Sequence, residues 1–243
     1  MHDLHAKDIH KVKLIEPREE KIMTTPNTQG YTAVPATGKG PGILVLHAWW
    51  GLNEFFKGFC DRLAHAGYVA LAPDLFAGKI ELTIEEAEQH KSEWDEEHEV
   101  PRILLPAIDN LSKHPAVTGQ GLGVIGFSMG AYWVLWLAQK KPELVRAVTL
   151  FYGTNGGEGD FKQSKASYLG HFAELDPYET EDGIQALEKK LKLNNRPTTF
   201  YTYPGTSHWF FEEDRQDAYQ TRAAQLAWER TITFLKDTFM VDY

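Results

Sequence analysis

Thiols are almost missing from these 243 residues: Cys60 is the single cysteine, so no internal disulfide framework can form. It sits in a helix-like stretch without charged activating groups on both sides, which makes it a core thiol rather than a nucleophile. Clusters of positive charge are missing too. Lys and Arg total 25 against 34 Asp and Glu, a formal net charge of -9, and no basic patch stands out that would serve nucleic acid or an anionic membrane. No apolar run approaches the ~20 residues that cross a bilayer. No positively charged start leads into a short apolar segment of the secretory kind, and repeats and low-complexity tracts are absent. These gaps leave the expectation of a cytoplasmic globular protein, one domain over 1–243, whose partner is a small molecule.

What is present is alternation. Residues 1–35 read as an N-terminal extension with edge strands, in pieces such as Val12 to Ile15 and Gly30 to Val34. From Gly42 onward the pattern turns to continuous apolar runs, the mark of parallel strands buried on both faces. Strands are expected at Ile43–His47, Tyr68–Ala72, Leu122–Gly126, Ala147–Tyr152, Ala166–Gly170 and Thr198–Tyr203. Helices are expected near Glu54–Ala66, Ile84–Glu97, Arg102–Ser112, Ala131–Gln139, Ile184–Leu191 and Asp217–Asp237. Strand and helix take turns, so the fold class is α/β, a mostly parallel doubly wound sheet flanked by helices. In the closing helix Tyr219, Ala223, Leu226, Ala227 and Ile232 supply the face laid on the sheet. The carboxylates of Thr83 to Glu99 read as a solvated helix face. The glycines of the loop from Gly153 to Lys165 lack the lysine and helix start of a phosphate cradle, so that loop reads as a mobile connection.

One stretch carries chemistry. Gly126-Phe127-Ser128-Met129-Gly130 lies between an apolar strand and a helix, the arrangement that lifts a serine hydroxyl out of a tight, strained bend. A hydroxyl is a weak nucleophile at neutral pH, so Ser128 needs a base, and that base needs an orienting acid. Of ten histidines, His208 follows the last expected strand in Pro204-Gly205-Thr206-Ser207-His208. Asp176 follows the strand before it, with Glu174 and Asp160 as rival acids and helix capping as its plainer role. The order Ser128, Asp176, His208 is that of a serine-acid-histidine triad, with all three at carboxyl ends of strands. Two backbone amides are expected to hold an oxyanion, those of Met129 and Trp49. Trp50 and Trp209 are candidates for lining an apolar substrate pocket. His2, His5 and His10 lack the supporting carboxylates of a metal site, so no metal ligand is assigned.

These residues resemble the dienelactone hydrolase family of α/β-hydrolases. The resemblance runs from Gly42 to about Phe234, through Leu44 to Asn53, Ala72 to Phe76, Gly126 to Ala131, Gly170 to Asp176 and Gly205 to Phe210. It implies an eight-stranded α/β-hydrolase sheet, a triad at Ser128, Asp176 and His208, and no metal or organic cofactor. Three positions depart from the pattern. The family's best-known enzymes carry cysteine where this chain has Ser128, and glutamate where it has Ala48. That glutamate helps turn a resting thiol into thiolate, so a serine enzyme has less need of it. Those enzymes also hold a substrate carboxylate with arginines, one of them four residues past the histidine. Here that residue is Glu212, expected to repel a carboxylate, with Arg215 nearby.

The expected activity is therefore hydrolysis of carboxylic esters or lactones through an acyl-enzyme. The same triad serves thioesterases, peptidases and acyltransferases, and a non-catalytic ligand-binding protein of the same fold is the alternative from another class.

Overall fold

The computed structural model describes residues 23–27, 30–156 and 159–239. Val12 to Ile15 and the three N-terminal histidines lie outside them. Eight strands form one sheet: β1 (Met23–Asn27), β2 (Gly30–Val34), β3 (Gly40–Leu46), β4 (Val69–Pro73), β5 (Val117–Phe127), β6 (Val145–Phe151), β7 (Ser167–Ala173) and β8 (Thr198–Tyr203). Their spatial order is β1-β2-β4-β3-β5-β6-β7-β8. β1 and β2 pair antiparallel at the edge, and β4 through β8 run parallel. The single-domain α/β-hydrolase sheet expected from the sequence is the one observed.

Side chains of the central strands point alternately to two cores, as the period of two in an extended chain demands. In β3, Ile43 and Val45 join one core, while Leu44 and Leu46 join the other. On the first face lie α1 (Glu54–His65), through Phe55, Phe56, Phe59 and Leu63, and α6 (Thr221–Phe239), through Ala224, Ala227 and Leu235. The second face carries α3 (Glu96–Ser112), α4 (Met129–Lys140) and α5 (Glu181–Leu193). Each fully buried Phe or Leu contributes about 1.5–3 kcal/mol against exposure. Cys60 is buried in α1, and burial pushes its thiol well above the usual range, in keeping with a core role.

Three elements differ from the sequence reading. The break expected between Glu97 and Arg102 falls earlier: α2 (Ile84–Glu93) ends at Trp94, which is extended, and Pro101 and Pro106 lie inside α3. Trp94 packs edge-on against Phe76 at 4.9 Å and beside His90 at 5.8 Å, a tertiary contact that sets the break where composition did not. The closing helix starts at Thr221, because 209–220 forms successive turns held by bonds such as Arg215 N–H to Glu212 O and Gln220 N–H to Phe210 O. Its inner face is Ala224, Ala227, Thr231 and Leu235, whereas Leu226 is 39 % exposed. Finally, the described part of the loop from Gly153 to Lys165 is packed: Phe161 and Ser164 are buried, and the Gln139 side chain donates to Gly156 O.

Strand order places the site. The chain runs from β3 out to β4 and then returns across β3 to β5, so the winding direction reverses between β3 and β5. The carboxyl ends of strands at such a reversal form a crevice. Ser128 directly follows β5 and Trp49 lies just beyond β3.

Candidate active site

The bend at Ser128 is built by close backbone approach. Ser128 has φ 51° and ψ -113°, a conformation that costs a non-glycine residue about 1–3 kcal/mol. Its amide donates to Phe151 O of β6 at 2.9 Å, and its carbonyl accepts from Ala131 N–H at 2.8 Å. A Cβ at Gly126 would lie 2.2 Å from Gly130 O, and one at Gly130 would lie 2.3 Å from Leu46 O. Neither position admits a side chain unless backbone moves, which is the physical reason for glycine on both sides of the serine.

Ser128 Oγ stands 2.9 Å from His208 Nε2. His208 Nδ1 lies 2.7 and 2.9 Å from the two oxygens of Asp176. An ionised carboxylate only accepts, so Nδ1 carries the proton and Nε2 is left to accept from the serine hydroxyl. Asp176 Oδ1 also accepts from the amides of Tyr178 and Glu179, at 2.9 and 3.1 Å. Asp176 thus turns its own loop as well as meeting the imidazole, while the capping oxygen of α5 belongs to Thr180. The rival acids are elsewhere: Glu174 accepts from Gly205 N–H, and exposed Asp160 accepts from Lys162 N–H.

A cavity of about 380 Å³ opens over Ser128. Trp49, Met129, His208 and Trp209 line it, together with Tyr132, Trp133 and Tyr178. Met129 begins α4, and the first amides of a helix have no intrahelical acceptor and sit at its positive end. Trp50 does not line the cavity. Its indole is 1 % exposed, covered by the Arg215 guanidinium 3.6 Å from the ring centroid and packed on Trp209 at 5.1 Å. The pairing of Trp50 with Trp209 as substrate contacts is therefore corrected: Trp50 packs behind Trp49 and Trp209, at 5.5 and 5.1 Å between ring centroids, and Arg215 covers it.

Arg215 and Glu212 also stay out of the cavity lining. Glu212 is fully buried, accepts from Tyr152 Oη at 2.6 Å through Oε1, and keeps Oε2 buried without a partner. Burial pushes its carboxyl up to about 8. The expected repulsion of a substrate by Glu212 does not arise, since the side chain turns inward. The Tyr152 ring packs 4.9 Å from the His208 ring. Burial also raises the Tyr152 hydroxyl, which stays a donor.

Two further buried histidines have structural partners. At the end of β3, His47 Nε2 accepts from Leu75 N–H, so Nδ1–H donates to Ala48 O, and burial pushes its pKa down to about 4. His171 lies between Tyr203 Oη at 2.8 Å and Thr231 Oγ1 at 2.9 Å. Thr231 donates to Ala227 O, so His171 Nε2–H donates to Thr231 and Nδ1 accepts from Tyr203. Burial pushes His171 down to about 3. Among the described residues no group of three His, Cys, Asp or Glu is placed to hold a metal ion, and no helix is long and apolar enough to cross a membrane.

A twisted parallel sheet, a sharp turn after its central strand and a histidine bonded to serine on one side and aspartate on the other define an α/β-hydrolase. The profile of the Dienelactone hydrolase family matches residues 28–239, and the chain belongs to that family. A relative from Aquifex pyrophilus called protein usf is 33% identical over 215 residues, covering 86% of this chain and 93% of that one. A putative carboxymethylenebutenolidase from Aquifex aeolicus is 30% identical, covering 86% and 92%. Among solved structures, a dienelactone hydrolase-like promiscuous phosphotriesterase from metagenomic libraries superposes with TM-score 0.77 at 21% identity, covering 86% and 92%. The likeness of that structure carries the fold.

Proposed function

We propose that this hydrolase of lactones or esters works through an acyl-enzyme on Ser128. The observation that carries the reading is the unbroken hydrogen-bonded path from Ser128 Oγ through His208 to Asp176, opening on a cavity lined by aromatic rings. His208 Nε2 takes the serine proton as Oγ bonds to the substrate carbonyl carbon, and the amides of Met129 and Trp49 hold the developing oxyanion. The C–O bond to the leaving alcohol then breaks, and the alcohol leaves with the proton from Nε2. Water repeats the sequence: His208 takes its proton, its oxygen bonds to the acyl carbon, and Oγ departs with the proton. In a lactone the leaving alcohol stays tethered to the acyl group, so one ring-opened hydroxy acid is released. Asp176 holds the imidazole in the required tautomer throughout.

Names among the relatives agree with such chemistry. One from Bradyrhizobium, 30% identical over 220 residues, is called a probable 2-oxo-3-(5-oxofuran-2-ylidene)propanoate lactonase. The reading extends to a cytoplasmic enzyme acting on a small molecule. Ser128→Ala is the test: hydrolysis of short p-nitrophenyl esters is expected to fall by at least about 10³-fold. Unchanged turnover would refute the mechanism, and failure of a fluorophosphonate to label Ser128 would favour a ligand-binding protein.

A further inference from the structure

Charge is distributed unevenly over the cavity. Glu96 and Glu97, from the first turn of α3, and Glu179, from the loop after β7, line it, against one cation, Lys91 of α2. Arg215, the guanidinium nearest in sequence to His208, is committed elsewhere: it lies flat on Trp50, donates to Leu82 O and stands 3.9 Å from Asp214. A substrate entering above Ser128 therefore meets more carboxylate than cation.

Glu179 is the carboxylate built into the wall. Both the amide and the hydroxyl of Thr154 donate to its Oε2, and its own amide is held by Asp176. Its other oxygen, Oε1, has no hydrogen-bond partner among the described residues and is not among the buried atoms lacking one. Glu179 is partly exposed and lines the cavity. A carboxylate oxygen fixed from behind and open in front accepts from a hydroxyl or ammonium and repels an anion. Glu96 is oriented as well, accepting from Trp133 Nε1 at 2.6 Å.

Resting on the acyl-enzyme reading, we propose that Glu179 is a specificity-determining residue. It selects esters or lactones that carry a hydrogen-bond donor or positive charge near the scissile bond, and it turns away those that carry a carboxylate there. Discrimination between opposite unit charges a few ångströms from a partly solvated carboxylate amounts to about tenfold or more.

The test uses three p-nitrophenyl esters of matched acyl length: neutral pentanoate, cationic 4-(trimethylammonio)butanoate and the anionic glutarate monoester. Each kcat/KM is measured at about pH 8 and divided by that ester's own hydroxide-catalysed rate. The native enzyme is expected to use the cationic ester at least as well as the neutral one and the anionic ester about tenfold less well, with the gap narrowing in high salt. Glu179→Gln, which can still accept from Thr154, is expected to recover most of the anionic deficit and to lower the cationic value relative to the neutral. Glu97→Gln, at an exposed position where folding is not at risk, is expected to shift the ratios the same way by a smaller factor. A native preference for the anionic ester, or variants that scale all three esters alike, would overturn the proposal. Ser128→Ala, assayed in parallel, separates the two claims: persistent turnover there refutes the mechanism, whereas lost turnover with unchanged Glu179→Gln ratios refutes only the selectivity.

Discussion

Two carboxylates serve the same imidazole, Asp176 by direct contact and Glu212 through Tyr152, and they are supplied with donors very differently. Asp176, with its side chain 1 % exposed, accepts from His208 Nδ1 and from two backbone amides. Glu212, fully buried, accepts from one tyrosine hydroxyl and leaves an oxygen bare. Glu212 is the more deeply buried residue and has the fewer donors, and each donor replaces hydration that a carboxylate loses on entering the protein. Asp176 is tied by three donors to the imidazole and to its own loop, whereas Glu212, its carboxyl pushed up to about 8 by burial, braces Tyr152 against the His208 ring.

Asp176→Asn attacks the first half of this contrast and carries the largest expected effect. The amide can still accept from Tyr178 and Glu179 N–H, so the loop persists, but the imidazole loses the partner that fixes its tautomer. Turnover is expected to drop by about 10³–10⁴-fold in an ester assay with little change in the urea midpoint. Glu212→Ala attacks the second half. It strands the buried Tyr152 hydroxyl, and urea unfolding is expected to show a loss of about 1–3 kcal/mol with a far smaller change in turnover than Asp176→Asn gives.

The smallest effect is one of slope. Between its ordinary 4.5 and about 8, folded Glu212 holds a proton that the unfolded chain releases, so its contribution to stability falls as pH rises through that window. His47 and His171 act in the opposite sense. Folded, they refuse the proton that the unfolded chain takes up below about 6.5, so stability is lost as pH falls from there toward about 4 and about 3. Glu212→Gln removes only the alkaline slope, at most about 1.4 kcal/mol per pH unit. Urea midpoints followed from pH 5 to 8 are expected to place the stability optimum of the variant at higher pH than that of the native protein. An unmoved optimum would mean that Glu212 is already ionised when folded.

Legibility in the sequence followed the range of the forces involved. Gly126, Ser128 and Gly130 could be read because backbone contact within a few residues dictates them, and β3 to β7 because strands buried on both faces need apolar runs. His208 and Asp176 were readable from chain order, and His208 stands within hydrogen-bond distance of both Asp176 and Ser128. The helix break at Trp94 was not readable, since it depends on where Phe76 and His90 sit. Nor was the direction of neighbouring side chains in a loop: Trp49 faces the cavity and Trp50 the interior, and Glu212 turns toward Tyr152, although nothing in their local sequence distinguishes those choices. Glu179 gave no local signal, because its partner Thr154 lies 25 residues away.

The turn at Ser128 is anchored on three strands at once, through its own β5, through Phe151 O of β6 and through the Leu46 carbonyl of β3 that presses on Gly130. No local opening can relax it while the middle of the sheet survives. The Ser128 amide should consequently exchange with solvent as slowly as the slowest amides of the sheet. Loss of reactivity on heating should track global melting and not precede it, which makes the activity of this protein a direct reporter of whether its central strands are still together.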